Sequence, residues 1–110
     1  MNSGIYLIFN KTNQKIYVGS TSNFNKRWSQ HIATLQNNKH SNSHLQRSWN
    51  KYREENFIFT VWEECSIEEL FNREQYYLDT LKPSYNVYKL LVVLVDINIQ
   101  KKQKKKFLIV

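Results

Sequence analysis

Five side chains of this 110-residue chain invite a chemical reading: Tyr6, Tyr17, Arg27, His31 and Glu74. Glu74 falls four residues after Leu70 and four before Leu78. It therefore sits inside a predicted apolar helix face made by Ile67, Leu70, Phe71, Tyr77, Leu78 and Leu81. A carboxylate turned toward a sheet is costly unless it is paired or holds a metal. The equal alternative is a glutamate at the edge of the stripe, reaching solvent or a basic partner. Arg27 and His31 are four apart, so they share a helix face beside Phe24, Trp28 and Ile32, with no acidic neighbour in sequence. Either one alone reads as an ordinary surface residue. Joined by two tyrosines and a semi-buried acid, they form a combination that folding alone does not explain.

Two further positions belong with them. The chain contains two glycines, Gly4 and Gly19, each at an end of a predicted hairpin strand. Glycine weakens a strand and marks a bulge, a strand end or the close approach of another group.

The elements that must position these residues follow from patterning. Gly4–Asn10 reads as a strand with Ile5, Leu7 and Phe9 on one face and Tyr6 and Ile8 on the other. A polar turn leads to a second strand over Lys15–Gly19, so the two form an antiparallel hairpin. Thr21–Asn23 offers N-caps for a helix to about Asn37, with Phe24, Trp28, Ile32 and Leu35 as its stripe. Ser43 with Gln46 resembles a capping box opening a helix to about Tyr52. Asn56–Cys65 is rich in β-formers and reads as a third strand. Ser66 with Glu69 resembles a second capping box, starting a helix to about Leu81 that Pro83 ends. The order is ββααβα, an α+β domain over residues 1–90. Residues 91–110, with Lys101–Lys106 almost all lysine, read as an appendage that is disordered or packs one extra strand.

Composition bounds the function. The net charge is +7, from 16 Lys/Arg and 9 Asp/Glu. The first 53 residues contain eight basic residues and no acid, a phosphate-facing surface in the making. A lone Cys65 permits no internal disulfide, and one Cys with three His does not have zinc-finger spacing. The apolar run Leu90–Val95 is far short of the ~20 residues of a membrane span, and the N-terminus lacks a signal-peptide pattern. The expected setting is intracellular, and the Asn-, Lys- and Tyr-rich, Ala-poor composition points to an AT-rich phage, bacterial or organellar genome.

Gly4-Ile5-Tyr6 followed by Tyr17-Val18-Gly19 resembles the paired motif of the GIY-YIG nuclease superfamily. Arg27, His31 and Glu74 follow in the family's order. The resemblance covers about residues 3–90 and is greatest to catalytic domains of intron-encoded homing endonucleases, through Lys26-Arg27-Trp28, the run Leu45–Lys51 and Tyr85-Asn86. It implies a small three-stranded antiparallel sheet flanked by three helices, in agreement with the pattern read above.

The resemblance also implies hydrolysis of DNA phosphodiester bonds with one divalent ion, Mg²⁺ or Mn²⁺, and no small-molecule cofactor. Glu74 would hold the ion, and a first half without acids argues against a two-metal site. Arg27 would hold a non-bridging phosphate oxygen. Tyr6 leads as the base that activates water, with Tyr17 and His31 assisting; His31 is the alternative base. Gly4, Gly19, His40 and Asn86 are supporting residues, Asn86 being equally a turn residue after Pro83. Lys15, Lys26, Arg27, Arg47 and Lys51 are the expected DNA contacts. The expected partner is DNA, bound by a monomer; a two-strand cut would need a transient second copy or two successive nicks. The alternatives are a silent DNA-binding remnant and, from another class, an RNA- or protein-binding module that stacks partners on its aromatic sheet.

Overall fold

A computed structural model of the chain describes residues 2–86. The expectations for Leu90–Val95 and the lysine run lie outside them. Three strands, β1 (Gly4–Asn10), β2 (Ile16–Thr21) and β3 (Phe57–Glu64), form one antiparallel sheet in the order β2-β1-β3. Helices α1 (Phe24–Gln36) and α2 (Ser43–Tyr52) lie between β2 and β3 in sequence, and α3 (Leu70–Leu81) follows β3. The predicted α+β order holds, with two short 3₁₀ turns added at Glu54–Asn56 and Ile67–Glu69. No helix among the described residues is long and apolar enough to cross a membrane.

The central strand has a core on each face, as its alternation requires. Tyr6 and Ile8 pack with Phe24, Leu35, Leu45, Trp49 and Phe57 in the larger core beneath α1 and α2. Ile5, Leu7 and Val18 pack with Tyr77, Leu78 and Leu81 of α3 in the smaller one. β1 is thus buried along nearly its whole length.

Local signals differ from the sequence reading in three places. The N-cap of α2 is Asn42, whose side chain accepts from Leu45 N at 2.9 Å; Ser43 already lies inside the helix. Asparagine caps as well as serine does, so the sequence offered two adjacent candidates. Ser66 forms no side-chain cap, because residues 67–69 make a 3₁₀ turn before α3 begins. That turn breaks the helical phase. Ile67 and Phe71, assigned to the apolar face, are therefore exposed at 62% and 75%. α1 is capped as expected, by Asn23 accepting from Lys26 N at 3.0 Å.

Candidate active site

The hairpin aims both tyrosines toward α1. Gly19 pairs directly with Tyr6 across the β1–β2 ladder. A Cβ on Gly19 would stand 2.4 Å from Tyr6 Oη and 2.5 Å from Cζ, so the phenol lies where only a hydrogen fits. Gly4 has φ +154°, and a Cβ there would meet the Glu63 carbonyl oxygen at 2.1 Å. The β1–β3 pairing slips beside it, from Ile5 opposite Glu63 to Tyr6 opposite Val61. Both glycines thus serve close approach, Gly4 between strands and Gly19 beneath the Tyr6 ring.

From Tyr6 a run of polar contacts enters the helical layer. Tyr6 Oη lies 2.6 Å from His31 Nε2, and both residues are only 1% exposed. His31 Nδ1 lies 2.8 Å from His40 Nε2, with the two rings stacked at 5.0 Å. The backbone N–H of Asn42 donates to His40 Nδ1 at 2.9 Å. Tyr17 sets its ring edge-to-face against His31 at 5.4 Å and His40 at 6.5 Å. Sequence reasoning linked His31 to Arg27 by spacing; its buried contacts are to Tyr6 and His40.

Electrostatics follow from burial. Desolvation first, then the Arg27 and His40 charges, push His31 down from 6.5 to about 3. His40 moves down as well, by burial and by Arg27. Burial, followed by the neighbouring Tyr17, raises Tyr6, while Arg27 acts in the opposite direction. Burial likewise raises Tyr17 against the pull of Arg27. Arg27 itself is half-buried, and its Nη1 donates to Gln30 Oε1 at 3.3 Å.

Glu74 reaches the same neighbourhood from the other face of the sheet. Ser20 Oγ donates to its Oε1 at 2.5 Å. Among the described residues no lysine or arginine pairs with Glu74, and no donor is bonded to Oε2. Its charge still acts on both phenols, raising Tyr6 and Tyr17. The edge of β2 is therefore where Tyr6, Tyr17, Arg27, His31, His40 and Glu74 converge. No cluster of three or more His, Cys, Asp or Glu suited to a metal occurs among the described residues.

Asn86 combines the two roles left open for it. Its backbone N–H closes a turn to the Pro83 carbonyl at 3.2 Å. Its side chain accepts from Val18 N at 2.8 Å and donates to Val18 O at 2.9 Å. That amide pairs with edge strand β2 as another strand would, and it holds the segment between Tyr17 and Gly19 in place. Sequence reasoning missed Ser20 and the positioning contacts of Asn42, Gln46 and Tyr85. Tyr85 Oη joins Ser48 at 2.6 Å and Asn10 at 3.1 Å, and Asn42 Nδ2 donates to the Tyr85 carbonyl at 2.5 Å. The capping-box motif flagged Gln46 for the wrong contact.

Of the expected DNA contacts, Lys26 on α1 and Arg47 and Lys51 on α2 are exposed. Lys15 is exposed too, but on the α3 side, where it lines an apolar groove with Leu7, Ile16, Trp62, Leu81 and Pro83. It does not join the basic residues of the helical layer.

Comparisons with known proteins give the family and the fold. Intron-associated endonuclease 1 of Enterobacteria phage T4 is 40% identical over 90 residues, covering 80% of this chain and 36% of that protein. "Probable intron-encoded endonuclease bI1" of Neurospora crassa is 32% identical over 94 residues, 77% of this chain and 20% of its own length. The chain thus spans 36% of the phage relative's length and 20% of the fungal one's. The catalytic domain of the homing endonuclease I-TevI superposes with a TM-score of 0.71 at 35% identity, covering 79% of this chain and 99% of that one. Residues 2–88 match the GIY-YIG catalytic domain, and the chain belongs to the GIY-YIG family.

Proposed function

We propose that this chain is a metal-dependent DNA endonuclease domain that hydrolyses phosphodiester bonds. One observation carries the reading furthest: Glu74 is held by Ser20 and, among the described residues, has no cation partner, beside Tyr6, Tyr17 and Arg27. A single carboxylate with a free oxygen suits a hard divalent ion that keeps most of its waters, Mg²⁺ or Mn²⁺. When bound, such an ion supplies Lewis-acid stabilisation of the phosphoryl and leaving oxygens.

The chain's own residues supply the rest. The Arg27 guanidinium binds a non-bridging phosphate oxygen and offsets the charge gained in the transition state. Tyr6, as phenolate, takes a proton from the attacking water at Oη. The water oxygen bonds to phosphorus as the bond to the leaving sugar oxygen breaks, and that oxygen gains a proton from solvent. Burial opposes the phenolate, whereas Arg27 and a cation at Glu74 favour it. His31, pushed to about 3, is a weak base at neutral pH. Tyr17 and Asn86 keep β2 and the imidazoles aligned. Lys26, Arg47 and Lys51 would hold flanking phosphates, with Lys15 contributing only if the duplex reaches the opposite face. The domain acts as a monomer, a second copy joining transiently for a two-strand cut. The relatives come from a phage and a fungus, and a phage-host or organellar setting suits this chain equally.

The test is nicking of supercoiled plasmid by wild type and Glu74→Ala, each with Mg²⁺ and with chelator. Nicks from wild type with Mg²⁺ alone are expected. A folded wild type that shifts DNA in a gel but never nicks it would mark a silent DNA-binding domain instead.

A further inference from the structure

The contacts behind Tyr6 have a direction, and one backbone amide sets it. A peptide N–H can only donate. Asn42 N–H donates to His40 Nδ1 at 2.9 Å, so that nitrogen must present a lone pair. A neutral His40 then carries its proton on Nε2. That proton points at His31 Nδ1, 2.8 Å away, which must accept. A neutral His31 in turn carries its proton on Nε2, facing Tyr6 Oη at 2.6 Å. Protonating either ring would set two donors against each other, at the His31–His40 contact or at the Asn42–His40 contact. Burial of both rings disfavours their charged forms for an independent reason.

The loop that carries this amide is held from several sides. Gln46, itself 7% exposed, accepts the His40 backbone N–H at Oε1 (3.0 Å). Its Nε2 donates to the Leu35 carbonyl at the end of α1 and to Asn50 Oδ1, both at 3.0 Å. Backbone groups on both sides fix which way this amide faces. Asn42 caps α2 with its side-chain oxygen and ties its side-chain nitrogen to the Tyr85 carbonyl.

We propose that Asn42, His40 and Gln46 form a positioning device that locks His31 as the Nε2–H tautomer, so that His31 donates to the Tyr6 oxygen rather than accepting from it. Both His31 nitrogens are then committed, Nδ1 to His40 and Nε2 to Tyr6. His31 is excluded as the base that activates water. Its role is to stabilise the Tyr6 phenolate and to leave the phenol proton aimed away from the imidazole. Only this last role rests on the endonuclease reading; the tautomer assignment does not.

Long-range ¹H–¹⁵N NMR on the full chain with ¹⁵N-labelled histidine tests it without reference to activity. His31 and His40 should both show a protonated Nε2 and a bare Nδ1 near neutral pH. A protonated Nδ1 on His31, or an imidazolium there, overturns the proposal whatever the enzyme does. The paired variants are His40→Ala and His40→Gln. His40→Ala should let His31 populate both tautomers and lower kcat about tenfold, the size of one lost hydrogen bond, with KM for DNA unchanged. The amide of His40→Gln can still donate toward Nδ1 and should restore most of the rate. An unchanged His31 tautomer and kcat in a folded His40→Ala would also overturn it. Wild-type cleavage rate in Tyr6→Phe would overturn the role of Tyr6 as base and leave the tautomer result standing.

Discussion

Two glutamates mark the two seams between α3 and the sheet, Glu63 of β3 reaching the helix and Glu74 of the helix reaching β2, and the protein treats them differently. Glu63 on β3 is saturated: Arg73 Nε and Nη2 donate to it at 2.9 and 2.8 Å, and Tyr77 Oη donates at 2.5 Å. Arg73 in turn lies over the rings of Tyr76 and Tyr77 at 4.6 and 5.3 Å. Among the described residues Glu74 receives one hydroxyl, that of Ser20. Arg73 and Glu74 are consecutive residues, and one helical step of about 100° sends them to opposite edges of the sheet. On the β3 edge the acid and its cation staple helix to strand. On the β2 edge an acid is oriented by a serine and, among the described residues, has no cation paired with it, beside tyrosines and an arginine. Residue type does not separate these two carboxylates; partner saturation does, and on the proposed reading the unsaturated one is the reactive one.

The largest effect should come from exchanging these two fates. Glu74→Ala is expected to lower cleavage at least about a thousandfold, on the scale of losing a central transition-state stabiliser. Its thermal midpoint should be unchanged or higher, since a half-buried charge is removed. Glu63→Gln should cut at the wild-type rate and melt lower. Plasmid nicking and thermal melts on the same preparations decide it; a dead Glu63→Gln that remains folded would erase the distinction.

The two arginines repeat the contrast. Arg27 bonds the neutral Gln30 and faces the Tyr6 and Tyr17 hydroxyls with no carboxylate partner among the described residues, whereas Arg73 is tied to Glu63 and Tyr77. Arg27→Ala should reduce the cleavage rate by roughly 10²–10³-fold while DNA affinity changes only a few-fold. Single-turnover rates and salt-titrated binding read the two quantities separately. An affinity loss equal to the rate loss would make Arg27 a binding residue.

How far the sequence revealed this depends on the kind of interaction. Alternation in β1 placed Tyr6 and Ile8 against Ile5 and Leu7 on the correct faces, because period-two burial is a local property. The register of α3 was misjudged at Ile67 and Phe71, since apolar spacing does not show that the first turn is 3₁₀. Glu74 stood out because a charge inside an apolar stripe is anomalous by itself. Ser20, its partner, did not, because serine at the end of a strand is unremarkable until α3 is placed beside it. The same holds for Gln46 and Asn42: their value lies in contacts between α1, α2 and the chain after Pro83, which no periodicity encodes.

Acid should separate the buried imidazoles from the staple. Unfolded His31 binds its proton near 6.5, whereas the folded residue resists until about 3. Arg27, His40, Tyr6 and Tyr17 face it. Its contribution to stability is present above pH 6.5 and is lost as pH falls through the window from 6.5 to 3. Within that window the unfolded chain holds one more proton, which costs about 1.4 kcal/mol per pH unit. Glu63, held below its usual range chiefly by Arg73, also loses its contribution on acidification, but only below its ordinary 4.5. Urea midpoints should therefore begin to fall near pH 6.5. His31→Gln should flatten the upper part of that decline and spare the lower. A wild-type midpoint flat from pH 7 to 5 would show that His31 titrates freely.

The smallest effect tests the staple itself. Arg73→Lys keeps a cation near Glu63 but loses the planar fork that makes two hydrogen bonds and lies over Tyr76 and Tyr77. The pair is about a third exposed on one side chain and a quarter on the other, at 32% and 27%. Its loss should therefore cost only about 1 kcal/mol. If charge alone held the helix to β3, Arg73→Lys would match wild type at low salt and both would weaken together in high salt. If fork geometry matters, the deficit is present at low salt and persists when salt is raised. Cleavage by Arg73→Lys should equal wild type in either case, because the staple and the site share a helix but no hydrogen bond. A loss of cleavage larger than the loss of stability would mean that the staple sets the angle at which α3 delivers Glu74.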